Sequence, residues 1–168
     1  MLERFEPHGS HYPYQFNYNP NMLDELIQKK FSSLVKQAHE SKAGGDLEFK
    51  YLKPKDYLPK VGFQLFDSNE SQRKKRIGDP VGFCALWTIW YIDNRLRYMD
   101  LPAKKIVNKL INVIRGENIS FRSMIRNYST QIILLRDHYL SQVGVDINDF
   151  INETIDISKY KQLHDLIF

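Results

Sequence analysis

A single cysteine, Cys84, closes the run Gly78-Asp79-Pro80-Val81-Gly82-Phe83 and opens the apolar run Ala85-Leu86-Trp87-Thr88-Ile89-Trp90-Tyr91. Turn residues give way to a helix at the thiol itself. A helix N-terminus carries roughly half a positive charge, which favours thiolate over thiol. The chemistry this suggests is nucleophilic attack by sulfur on an electrophilic carbon. Such a thiol needs a base, and the base needs an acid to orient it. With one cysteine there is no internal disulfide. The plain alternative is a small buried hydrophobe, a common state of free cysteine.

Five histidines could serve as a base: His8, His11, His39, His138 and His164. No spacing singles one out. His39 and His138 fall late in expected helices, where a cation suits the helix dipole and a surface position is the plainer reading. His8 and His11 lie in a loop just past an expected strand. They have no third ligand beside them, so no metal is expected. No phosphate-cradling or dinucleotide-binding glycine pattern is present, so no cofactor is expected. The basic run Arg73-Lys74-Lys75-Arg76 has no interleaved aromatic residue and reads as a solvated loop, so a nucleic-acid partner is not expected.

The elements that must position these groups follow from periodicity. Leu2-Glu3-Arg4-Phe5-Glu6 alternates and reads as a strand broken at Pro7. A helix over residues 22–41, capped by Asn19 or Asn21, carries the stripe Leu23, Leu26, Ile27, Phe31, Leu34 and Val35. Leu47-Glu48-Phe49-Lys50-Tyr51 and Val61-Gly62-Phe63-Gln64-Leu65-Phe66 read as two further strands. From Phe83 the chain turns helical, first to Tyr98. A second helix follows Pro102, with Ile106, Val107, Leu110, Ile111 and Ile114 as its buried face. A third, after Ser120, runs to Gln142, and two short ones close the chain. The expected class is α+β: a small mixed sheet, a central helix starting at the cysteine, and a mostly helical C-terminal half.

Three segments, in order, resemble proteins encoded by giant DNA viruses. They are Glu3-Arg4-Phe5-Glu6-Pro7-His8-Gly9, Gly62-Phe63-Gln64, and the Gly78 to Cys84 run with its Trp87-Thr88-Ile89-Trp90-Tyr91 helix. Those proteins are similar to the SUMO-specific and adenovirus-type cysteine proteases. The resemblance implies Cys84 as nucleophile and Gln64 as a side-chain donor to the oxyanion, joined by the Phe83 and Cys84 backbone N–H groups. It implies Glu6, or alternatively Glu3, as the acid that orients the base. In that clan the histidine precedes the acid, on an upstream strand. Here only five residues precede Glu6, and His8 and His11 follow it, so the resemblance leaves the base outside this chain.

Three readings follow from the resemblance. The chain is the C-terminal part of a longer protease, or a protein that kept the fold as a virion or scaffold component, or one completed by a strand-donating partner. Its partners would be a protein substrate, a partner chain or a second copy. Its substrates would be polyprotein or ubiquitin-like conjugates, and its setting the host cytoplasm or the virion.

The 168 residues are expected to form one domain, with residues 1–100 protease-like and 101–168 a helical extension. A net charge of +4 is mild, and no apolar run approaches the ~18 residues of a membrane span. The sequence shows no internal repeat.

Overall fold

The computed structural model describes residues 1–11, 19–40, 48–69 and 83–167. The turn residues 78–82, the basic run 73–76, residues 12–18 of the aromatic loop and Leu47 lie outside the described residues.

The elements run β1 (Leu2–Glu3), α1 (Pro20–Glu40), β2 (Tyr51–Leu52), α2 (Pro54–Tyr57), α3 (Phe63–Asn69), α4 (Cys84–Arg97), α5 (Ala103–Gly116), α6 (Phe121–Gln142), α7 (Ile147–Ile151) and α8 (Ile157–Ile167). Among the described residues helix takes 69% and strand 3%, so the expected α+β class with a small mixed sheet is overturned. What remains of the sheet is one parallel pair, with Leu2 opposite Tyr51 and Glu3 opposite Leu52.

The correction has local causes. Pro7 follows β1 closely, and the turn Glu6-Pro7-His8-Gly9 ends the extended chain, the Gly9 N–H donating to the Glu6 carbonyl at 2.9 Å. The segment expected as a strand at residues 61–66 becomes the start of α3. The Phe66 N–H donates to the Gly62 carbonyl at 3.0 Å. Phe63 and Phe66, three apart, share a helix face, and both rings meet Phe121, at 6.4 and 4.9 Å between centroids. Alternation over six residues was too short to exclude a helix.

Two compact units make up the chain, residues 1–122 and 123–168. In the first, α4 is central. Trp87 is fully buried, and Phe63 stacks on it at 5.3 Å while Phe5 stacks on Tyr91 at 4.2 Å. The α5 stripe buries Ile106, Val107, Leu110, Ile111 and Ile114. Burying each such side chain contributes roughly 1.5–3 kcal/mol. In contrast, α1 leaves Met22, Leu26, Phe31 and Leu34 exposed and buries only Asp24. The second unit holds a small cluster of Leu140, Val145 and Leu163.

Candidate functional site: a thiol, an imidazole and a carboxylate

The site is assembled by two chain segments that cross backbone against backbone. The Ser10 N–H donates to the Pro59 carbonyl at 2.8 Å, the Gly62 N–H to the His8 carbonyl at 2.7 Å, and the Gln64 N–H to the Pro7 carbonyl at 2.9 Å. Only glycine permits this approach. A Cβ on Gly62 would lie 2.3 Å from the Gly9 nitrogen and 2.4 Å from the Pro7 oxygen. Gly9 also sits at φ +106°, a left-handed conformation that suits glycine. The crossing fixes Glu6 and His8 on one strand of chain against Gln64 on the other.

Cys84 is the first residue of α4 and is half-buried as a residue. His8 Nε2 lies 3.8 Å from Cys84 Sγ. His8 Nδ1 lies 2.9 Å from Glu6 Oε1, which also accepts the His8 backbone N–H at 3.2 Å. A carboxylate at Nδ1 holds the proton there, which leaves Nε2 as the acceptor facing the sulfur. The three groups thus stand in the order nucleophile, base, orienting acid. The separation of sulfur and nitrogen is loose, as such contacts are before substrate binds.

Gln64 is buried at 3% exposure and meets the same thiol from its amide oxygen. Oε1 accepts the Phe83 N–H at 2.8 Å and lies 3.5 Å from Cys84 Sγ, within reach of the S–H. The expected oxyanion donor therefore faces the thiol as an acceptor. The Phe83 N–H, expected to join it, is already engaged. In this resting arrangement the S–H proton has two acceptors in reach, and Gln64 also braces the turn into α4.

Charge is anchored behind the site. Arg4 lies 3.7 Å from Glu6 Oε2 and donates to Asp24 of α1 at 2.7 and 3.2 Å. Tyr51 OH donates to the same Asp24 at 2.6 Å. Burial pushes the Asp24 carboxyl up, but Arg4 and Tyr51 outweigh it and hold it below its ordinary value. Burial, with Asp24 beside it, pushes Tyr51 up to about 12.

Glu3, the alternative acid, is elsewhere. It accepts from the Tyr91 hydroxyl, and Arg95 Nε lies 3.0 Å from its other oxygen. Burial, then Glu3, raises the Tyr91 hydroxyl well above its ordinary value. His11, His39, His138 and His164 are exposed.

The sequence sets His8 aside because it follows Glu6, whereas the fold brings its Nε2 to 3.8 Å from Cys84 Sγ. The signal lay in Glu6-Pro7-His8-Gly9: proline second and glycine fourth is a β-turn signature. Such a turn folds residue three back over residue one.

No family model matches the chain, and no solved structure matches it. A protein of Acanthamoeba polyphaga mimivirus, provisionally named as an ankyrin repeat protein, is 47% identical over 163 residues. The match covers 97% of this chain and 21% of that protein, so the chain spans about a fifth of its relative's length. A giant-virus relative agrees with one part of the resemblance. The relative's name and the mostly helical fold overturn the rest: the chain is not assigned to the SUMO-specific and adenovirus-type cysteine proteases, nor to a scaffold built on a degenerate form of their fold. The protease and hydrolase descriptions fall with them. Among the described residues no helix is long and apolar enough to cross a membrane.

Proposed function

We propose that Cys84 is a reactive thiol that carries acyl groups in transfer, with His8 as its base and Glu6 as the acid that orients the base. The observation that supports this most is the single line Cys84 Sγ, His8 Nε2, His8 Nδ1, Glu6 Oε1, with gaps of 3.8 and 2.9 Å. In the forward step the S–H proton passes to His8 Nε2 as sulfur bonds to the donor's carbonyl carbon. The leaving group departs with that proton, and a thioester remains on Cys84. An acceptor nucleophile then takes the acyl group, its proton passing through His8, and the thiol is restored. The positive end of α4 favours the thiolate, and proton transfer by a placed base contributes about 100- to 10,000-fold.

The test is intact mass after exposure to an activated acetyl ester. An acetyl adduct that forms in the native chain and is absent in Cys84→Ser and in His8→Ala supports the reading. An adduct on lysines alone, or no adduct, removes it.

A protein partner is a second reading, supported by the relative's name and by the exposed apolar residues of α1. The chain itself shows no repeat of the ~33-residue ankyrin period, so this reading does not rest on repeats within it. Concentration-dependent sedimentation, lost in Leu26→Glu, supports a second copy as that partner. Monomeric behaviour at all concentrations removes that version.

A further inference from the structure

The segment from Glu3 to His8 runs along α4 in the opposite sense: Glu3 meets Arg95, Phe5 stacks on Tyr91, and His8 meets Cys84. Between them lies a groove of about 240 Å³, lined by Phe5, Thr88, Ile92 and Leu96, with the Glu3–Arg95 pair at its far end. On a helix, Cys84, Thr88 and Ile92 are successive i, i+4 neighbours, so Cys84 lies one helical turn before Thr88, the lining residue nearest it in sequence. From Cys84 to Leu96 the helix rises about 18 Å.

The groove's polar groups are already engaged. The Thr88 hydroxyl donates to the Cys84 carbonyl at 2.9 Å. Glu3 is shared by Tyr91 and Arg95, and Arg95 Nη1 donates to the Met99 carbonyl at 3.1 Å. Its walls therefore offer apolar contact. Ile92 and Leu96 stand 49% and 61% exposed on that wall.

We propose that this groove holds the unbranched apolar chain of an acyl donor, with the donor's carbonyl at Cys84 and the chain running toward Leu96. The proposal rests on the reactive-thiol reading and names its substrate class. The thiol, one helical turn before Thr88 on the same face of α4, sets the occupant's reactive end, and the engaged polar groups select a hydrocarbon over a peptide backbone.

The test compares labelling of Cys84 by iodoacetamide and by its N-octyl derivative, each rate divided by its rate with free cysteine. In the native chain the octyl-to-parent ratio is expected to be about tenfold or more, since sinking two methylenes is worth that much. It is expected to fall toward unity in Ile92→Glu and Leu96→Glu, two exposed positions that a charge does not unfold. A native ratio near unity overturns the proposal. So does a ratio that survives both substitutions, or an equal gain from an apolar tripeptide iodoacetamide. Failure of the thiol reading is a different result: iodoacetamide alone would then show the pH profile of an ordinary thiol, whatever the ratio.

Discussion

At the residue scale the proposed site depends on two protons and on where each is held. The Glu6 carboxylate keeps one on His8 Nδ1, the Cys84 thiol keeps the other near Gln64 Oε1, and the proposed attack requires that second proton to move to His8 Nε2. Replacing Glu6 by Gln removes the charge that fixes the tautomer. Labelling of Cys84 at neutral pH should fall by about tenfold or more, because a wrong tautomer presents N–H to the sulfur. Gln64→Glu places a carboxylate about where Oε1 lies, 3.5 Å from the sulfur. A like charge disfavours the thiolate, so the labelling profile should shift to higher pH. An unshifted profile would show that Gln64 does not face the thiol. Cys84 was marked in the sequence by a local signal, a lone cysteine after turn residues, and Glu6 by the resemblance alone. His8 was not. Its relation to Cys84 spans 76 residues and depends on the glycine crossing, which no periodicity reports.

At the element scale, positioning comes from two devices. The first is the Gly9–Gly62 crossing. Gly62→Ala forces backbone apart at 2.3–2.4 Å and should cost about 3 kcal/mol. A urea midpoint unchanged from the native chain would contradict the crossing. The second is Asp24, the buried residue on a helix otherwise largely exposed, which holds Arg4 beside Glu6. Its folded carboxyl lies below the unfolded value of about 3.9. The stability it contributes is therefore complete above that value and is lost as pH falls through the lower, folded one. Asp24→Asn should flatten the acid limb of stability against pH, as followed by thermal melting. The helices were legible where the stripe was long: α5 buries the five residues its period marks. The strands were not, because five- and six-residue alternations compete with turns and short helices, and Pro7 and Gly62 decided against extension. The stripe of α1 shows the converse, a clear helical period whose apolar face stays exposed.

At the scale of the whole molecule, burial is uneven. Residues 1–122 hold the aromatic core around Trp87 and the α5 face, while the described residues of 123–168 bury fewer side chains, Ile125 and the cluster of Leu140, Val145 and Leu163. Amide exchange should follow that division, slowest in α4 and α5 and fastest in α7 and α8. Uniform protection would contradict it. The chain corresponds to about a fifth of its mimivirus relative. The site nonetheless draws its groups from residues 6, 8, 64 and 84, all within the first unit.

The most direct test of the central claim is the rate of Cys84 alkylation by iodoacetamide across pH, in the native chain and in His8→Ala. The account predicts labelling in the native chain that persists well below the ordinary thiol range near ~8.5, and a return to that range when His8 is lost. Identical profiles, both rising only near that value, would show that His8 does not activate the thiol and would contradict the account.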